Sequence, residues 1–543
     1  MLVAAALALL AAAPAAAQEA AANLDAEQAT RVADPQSDVQ RQRALHPDLG
    51  SSAVLEEGEW EVSYFADDEQ VALVIVDDAT GLVEESWTGH QVAWKMARGY
   101  EGAFGHMLNA PYVFLPICAL FLIGLVDWRR PWRVANLDLL VLLAFGASHF
   151  FFNRAEIGIS VPLQYPPLLY LFARCLWIGV RGRGEGLRPV WPAAWLLIAA
   201  LFLVGFRIGL NLADSGVIDV GYAGVVGADR VADGVSVYGG FPDDVEHGDT
   251  YGPFNYYAYL PFEQVWPWSG SWDSLPAAHG AAVFFDLGTF ALLLLLGLRL
   301  RPGRAGRMLA ATLGFGWAAY PYTAYVLESN SNDSLIALLL VATLLVIARP
   351  ALRGSMLALA ALTKFAPLLL APLLATIEGR RRPLLLCTAG FGAAAALVLA
   401  QTILGPGLGT LYERTIGYQA GRDSPFSVWG QAPALEPLRV GAIIATGALA
   451  LALALRPRPR DLVQVSAFGA ALLIAVQLTM QHWFYLYLVW FFPLLLVALA
   501  AITPVRGPAP ARSSRPARRD ERPPLRPSPR RLPRRSRSEP ASV

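Results

Sequence analysis

Positive charge in this 543-residue chain is written almost wholly as arginine: among 43 basic residues only Lys95 and Lys364 are lysines. Lys364 lies in ALTKFAPLLLAPLL, within a long apolar stretch. An ionisable group there is expensive and points to function by default. A compact ammonium suits a phosphate or carboxylate partner; the plainer alternative is a lysine snorkelling to the interface. Arg207, near the end of the apolar run 190–210, reads equally as an anion-binding group or a snorkelling arginine. Asp286, in FFDLGTF, sits deeper and suits pairing between helices. The other acidic chemistry gathers in residues 211–276, which carry Asp214, Asp219, Asp229, Asp233, Asp243, Asp244, Asp249 and Asp273. Within that segment Asp243, Asp244, His247 and Asp249 could hold a hard cation, although a solvated loop explains them as well. Arg422 lies in YQAGRDSPFSVWG, and His482 opens QHWFYLYLVWFFPLLL, where an interfacial aromatic belt is its plain reading.

The elements that must position these residues are membrane helices. The chain is 55% hydrophobic and 16% charged, with a mean hydropathy of +0.42. Ordinary soluble domains carry roughly 25% charged residues, so composition argues against a soluble enzyme, a disordered protein or a nucleic-acid binder. The 43 acidic residues match the basic ones in number, not in place. Residues 18–106 hold 18 Asp/Glu against 5 Lys/Arg, and residues 506–543 hold 12 Arg against 3 Asp/Glu. Oppositely charged ends flank an apolar middle. Cys118, Cys175 and Cys387 sit in apolar runs, with no spacing that suggests a disulfide framework or zinc.

A crossing needs about 20 helical residues. Candidates are 110–127, 134–152, 163–180, 190–210, 277–298, 308–327, 333–348, 384–404, 436–455, 462–481 and 484–503. Arginine clusters at 129–133, 181–188, 301–307, 349–353, 380–382 and 456–460, and the tail from Arg506, are placed in the cytoplasm by the positive-inside rule. Residues 354–377 are flanked by such clusters on both sides, so they must cross an even number of times. We expect two short helices turning near Lys364-Phe365-Ala366-Pro367, since the residue before a proline disfavours the α region. The total becomes about thirteen crossings. Loops 211–276, 328–334 and 405–435 then face outside, and 211–276, long and dense in Asp, Tyr, Trp, Gly and Pro, is the candidate for function.

At the amino terminus, residues 1–17 read as a secretory signal peptide, and residues 18–57 as a flexible linker. WEVSYFA, QVALVIV and LVEESW are strand-like, and residues 88–99 look helical. VDDATGLVEESWTG resembles a PepSY-like domain. The resemblance implies a small, non-catalytic, extracellular α+β module over 58–105 that serves in regulation or docking.

SGVIDVGYAGVVGADRVADGVSVYG sets Asp219 shortly after a membrane helix, ahead of an apolar-periodic segment and Val-Tyr-Gly. This resembles the GT-C superfamily of membrane glycosyltransferases, most closely glycosyltransferase family 87, the polyprenyl-phosphate-mannose-dependent type. TYGPFNYYAYLPFE is similar to that family's Tyr-x-Pro stretch, ALTKFAPLLLAPLL to its Lys-x-x-Pro segment, and QHWFYLYLVWFFPLLL to its late His/aromatic helix. ESNSNDSL at 328–335 stands where a Gly-Gln-type motif is expected. The resemblance covers about residues 190–503, with 106–189 as three additional membrane helices. It implies an α-helical polytopic membrane protein in which a hexose, mannose in that family, passes from a polyprenyl-phosphate donor to a glycolipid or glycan acceptor outside the cell membrane. The transfer would be inverting and would need no cofactor. Asp219 would act as general base. Lys364, Arg207, Arg422 and His482 would bind the donor phosphate, and Tyr251, Tyr256, Asn332 and Asp333 would contact substrate. No metal is assigned.

The tail 504–543 is Pro/Arg/Ser-rich and is expected to be disordered and cytoplasmic, attracted to anionic lipid rather than to nucleic acid. Two other readings use the same residues. A transporter or lipid flippase would spread charged groups through helix interiors and carry internal repeats. A sensor would make the PepSY-like domain primary and the helices its platform.

Overall fold

The computed structural model describes residues 23–56, 58–66, 69–89, 91–92, 106–181, 186–422, 424–455 and 460–501. The expected signal peptide, most of the expected helix 88–99 and the basic tail lie outside the described residues. The chain first forms α1 (Ala26–Ala33) and α2 (Ser37–Leu45). An antiparallel meander follows: β1 (Gly50–Glu56), β2 (Glu59–Ala66), β3 (Glu69–Asp77) and β4 (Val83–Thr88). The segment expected to be a flexible linker is therefore two helices and a strand. Asp25 and Gln28 make a reciprocal capping box on α1, with bonds of 2.7 and 2.9 Å. Ala29, Ala33 and Val39 bury against Trp60, Val62 and Tyr64 of β2 and Ala72, Val74 and Val76 of β3. Alanine contributes little to a hydrophobicity average, yet it lets a helix lie flush on a sheet, so polar composition was a misleading guide here. Asp78 fastens the start of α1, accepting the Asn23 and Leu24 N–H groups (2.7 and 2.9 Å) and the Trp60 indole N–H (2.9 Å).

The rest is helical. In chain order the main helices are α3 (Pro111–Leu125), α4 (Val134–Phe152), α5 (Ile157–Arg181), α6 (Ala193–Asp214), α7 (Asp219–Ala232) and α8 (Pro253–Glu263). Then come α9 (Pro276–Leu300), α10 (Gly303–Ala319), α11 (Pro321–Glu328), α12 (Asp333–Leu345) and α13 (Pro350–Ala361). The last are α14 (Arg381–Leu404), α15 (Glu436–Leu455), α16 (Leu462–Thr479) and α17 (Leu488–Ala500). Among the described residues six helices are long and apolar enough to cross a membrane: α4, α6, α9, α14, α16, and α15 with its preceding turn. Their environments differ. α16 is buried almost all round, whereas α15 and α14 leave Leu397, Leu404, Leu438, Ile444 and Leu455 exposed. Apolar side chains on the outside of such helices are what a lipid solvent permits.

Three helices that meet inside the bundle are short. α12 has 13 residues, α13 has 12 and α17 has 13. At about 1.5 Å per residue they run roughly 18–20 Å, less than the roughly 30 Å of a hydrocarbon core. The expected helix pair over 354–377 takes the form of α13, a turn at 362–365, a 3-10 helix Ala366–Leu370 and a short helix Ala371–Ala375. Both Nη atoms of buried Arg353 meet the Glu378 carboxylate at 2.8 and 3.0 Å, so the segment returns to where it began. Neither arm has the length of a crossing; the pair is a short hairpin with Lys364 at its turn.

Candidate functional site

Asp219 is the first residue of α7. The chain leading into it is tied to the connection after α11. Ile218 N–H donates to Ser329 O at 3.3 Å, and a Cβ on Gly221 would lie 2.4 Å from Asn330 O. Asn330, at φ 51°, turns back and donates from Nδ2 to Ser215 Oγ (3.0 Å) and Gly216 O (2.8 Å). Asparagine is among the few residues that tolerate this left-handed geometry. The bonds carry Asp219 toward Asp333, the first residue of α12.

The Lys364 Nζ donates to Asp333 Oδ1 at 2.5 Å. Trp490 Nε1 donates to the same oxygen at 2.6 Å, and Ser331 Oγ donates to Oδ2 at 2.9 Å. The rings of Tyr251, Tyr487 and Trp490 stand 5.5, 5.4 and 5.2 Å from the ammonium, within cation–π range. The backbone fixes Tyr251 in this cage: Gly252 N–H donates to Thr363 O (3.1 Å) and Phe254 N–H to Leu362 O (2.9 Å). Only glycine fits at 252, where a Cβ would lie 2.1 Å from Leu362 O. Two carbonyls of the hairpin turn, Leu362 O and Thr363 O, are thus satisfied by protein, as irregular backbone away from water requires. Asp333 at a helix N-terminus and Lys364 just past a C-terminus also match the helix dipoles.

Arg422 lies within electrostatic reach of Asp219, Tyr251, Tyr487 and His482. Among the described residues it makes no hydrogen bond or ion pair. Asp219 is exposed, yet protein crowds it closely enough that loss of hydration pushes its carboxyl above the ordinary range; Arg422, the Val220 N–H and Lys364 pull it back in part. Such a carboxylate is a better base than one in open water. His482 lies in the connection after α16, its Nδ1 2.9 Å from Ser424 Oγ. Burial holds its imidazole well below the usual range, and the positive charges of Arg422 and Lys364 lower it further. It is neutral at neutral pH, so its contribution to anion binding is a hydrogen bond and not a charge.

Asp219, Tyr251, Asp333, Lys364, Arg422 and His482 are brought together; Arg207, Tyr256 and Asn332 are not available in the way the sequence suggests. Arg207, 2% exposed on α6, pairs with Asp286 of α9. It also donates to Trp317 O (3.2 Å) and Thr323 O (3.2 Å), and Trp317 Nε1 donates to Asp286 Oδ1 at 2.9 Å. Its guanidinium is committed to joining helices. Tyr256 is fully buried, its hydroxyl donating to Gly248 O at 2.8 Å and its ring packed where a Cβ on Gly227 would lie. Asn332, also fully buried, donates to Asn255 Oδ1 at 2.8 Å. Asp333 has no exposed surface and acts through Lys364. The acidic stretch 243–249 is divided among protein partners: Asp244 accepts from Tyr222 OH (2.9 Å), Asp249 pairs with Arg414 (2.7 Å), and His247 stacks on Tyr418. Among the described residues no group of three His, Cys, Asp or Glu side chains is disposed to hold a metal.

Tyr487, Trp490, Ser424 and Arg414 were not singled out from sequence. For the first two a signal existed: their i, i+3 spacing at the start of an apolar helix places both rings on one face. Chemically, the assembly offers an exposed carboxylate crowded by protein beside two cations, one caged and paired, the other without a partner among the described residues. These features belong to an α-helical membrane protein whose polar site is built where short helices end. Comparison with known proteins adds no relative: no family model matches the chain, and no curated protein matches it.

Proposed function

We propose that this protein is an integral-membrane glycosyltransferase that moves a hexose, mannose in the first instance, from a polyprenyl-phosphate carrier to a glycolipid or glycan acceptor. The observation that carries the reading is an exposed Asp219 carboxylate sharing a site with Arg422, which has no partner among the described residues, and an aromatic-caged Lys364. Asp219 removes the acceptor hydroxyl proton as that oxygen attacks the anomeric carbon from the face opposite the phosphate. The sugar–phosphate bond breaks, the configuration inverts, and the lipid phosphate leaves with the bond pair. Arg422 and Lys364 stabilise the charge that grows on it, which is where preorganised cations are most effective. His482 supplies a neutral hydrogen bond. Tyr251 offers a ring face at the edge of the ammonium cage.

In this reading the site opens to the outside of the cell membrane, the arginine-rich connections lie in the cytoplasm, and the basic tail rests on anionic lipid. The direct test is incubation of membranes containing the protein with labelled polyprenyl-phosphate sugars, followed by analysis of the acceptor. Asp219→Asn is expected to insert and fold normally and to transfer no sugar. Full transfer by that variant would remove the base, and transfer from a nucleotide sugar with no lipid carrier would overturn the donor.

A further inference from the structure

Arg422 owes its position to a segment that crosses between two fastenings. On one side, residues Pro425–Gln431 are bonded to α5 and to the end of α16. Val428 N–H donates to Tyr165 OH (3.2 Å), Gln164 Nε2 to Phe426 O (3.2 Å), Gln431 Nε2 to Ile157 O (3.2 Å), and Trp429 Nε1 to Leu478 O (3.0 Å). On the other side Leu411 packs into the core, and the long-range polar fastening among the described residues is Arg414. Arg414 donates from Nε to Asp249 Oδ2 at 2.7 Å and from Nη2 to Glu246 O at 2.9 Å. The same Asp249 oxygen accepts Gly239 N–H at 2.8 Å, and His247 stacks on Tyr418 with ring centroids 4.4 Å apart. Between the two fastenings, Arg422 itself bonds to nothing among the described residues.

The local backbone fits a device for aiming a side chain. Arg414 lies in a single π-helical turn, Glu413–Gly417, inserted between the helix Gly407–Tyr412 and the helix Tyr418–Gly421. Such a turn adds a residue to a helix and rotates whatever follows it, and it recurs at functional sites for that reason. Asp249 is fully buried, its Oδ1 without a partner among the described residues, while Arg414 retains 29% of its surface. The buried carboxylate gives the arginine a fixed destination. It lies in the connection between α7, the helix that begins with Asp219, and α8, so the ion pair joins the segment carrying Arg422 to the stretch that follows the base.

We propose that Arg414 is a positioning residue: by latching onto Asp249 it holds the segment that places Arg422 in the site. The proposal rests on the reading of Arg422 as a group that meets the donor phosphate, and its test is built to be independent of that reading. Arg422→Cys, made in the full-length protein, reports the position of residue 422 through its rate of reaction with a membrane-impermeant maleimide, with the parent protein as control. Adding Arg414→Met is expected to change that rate by at least about tenfold, as local opening frees the segment. Arg414→Lys, which keeps the charge and loses the fork, should fall between. If the Met variant does not fold, Tyr418→Leu removes the stacking contact without stranding Asp249 and should shift the rate in the same direction. An unchanged rate in a folded Arg414→Met or Tyr418→Leu background rejects the latch. In the transfer assay Arg414→Met should raise KM for the lipid donor and lower kcat, together by roughly 100-fold in kcat/KM. Altered labelling in a protein that transfers no sugar from any polyprenyl phosphate would leave the latch standing and remove the glycosyltransferase reading.

Discussion

Asp219 can serve as a base only while its carboxyl is ionised, and its surroundings make ionisation harder than in water. The acid limb of kcat/KM should therefore lie above the ordinary aspartate value of about 3.9. Arg422 lowers the Asp219 pKa, so removing it raises that pKa. In Arg422→Gln the acid limb should move to higher pH, whatever the loss in rate; a pH–rate profile that stays in place would separate the two groups. Lys364 is placed differently, because its partner Asp333 is fully buried. Lys364→Met strands that carboxylate and should cost about 3–5 kcal/mol in stability, along with roughly 100- to 1,000-fold in transfer. Lys364→Met/Asp333→Asn should regain most of the stability and none of the activity. Thermal melts of the detergent-solubilised variants, paired with the transfer assay, check both halves.

Among the elements, the hairpin α13–turn–3-10 does most to form the site, and its most sensitive contact is with the segment before α8. Gly252→Ala sets a methyl against Leu362 O, a backbone atom that cannot swing aside. The expected cost is about 1–3 kcal/mol, and because Tyr251 moves with it, transfer should fall by more than the melting temperature suggests. The turn at Lys364 was legible in the sequence from two physical facts: arginines on both flanks demand a return, and Pro367 breaks the helix. The shortness of its two arms was not legible, since charge bias counts parity and says nothing of length. Lys364 stood out because lysine is scarce in so apolar a chain, whereas Asp219 and Arg422 entered through the family resemblance. Arg207 entered the donor site the same way and pairs instead with Asp286 on α9, because sequence cannot tell a charge that meets a ligand from one that meets the next helix. The strands β2, β3 and β4 followed from alternation, while α1 and α2 were hidden by alanine, whose packing value depends on what it packs against.

For the whole molecule, the division of labour between parts is testable. The Arg207–Asp286 pair should behave as a joint between helices: Arg207→Leu alone should lower stability by about 3–5 kcal/mol, whereas Arg207→Leu/Asp286→Leu should recover folding and transfer sugar with an unchanged KM. A raised KM in the stable double variant would return Arg207 to the donor site. The N-terminal sheet and its two helices have a hydrophobic cluster separate from that of the membrane helices. Deleting residues 19–105 should therefore leave transfer measurable, while a sensor built around that module would lose its activity. The cage around Lys364 also has a consequence for biosynthesis. Its two late walls, Tyr487 at the N-cap of α17 and Trp490 in its first turn, lie more than a hundred residues behind the ammonium they enclose. A nascent chain must carry the Lys364–Asp333 pair, lacking these rings, until α17 leaves the ribosome. Chains that terminate before it should expose an uncaged ammonium and be degraded, so α17 would serve as a quality checkpoint as well as a wall of the site.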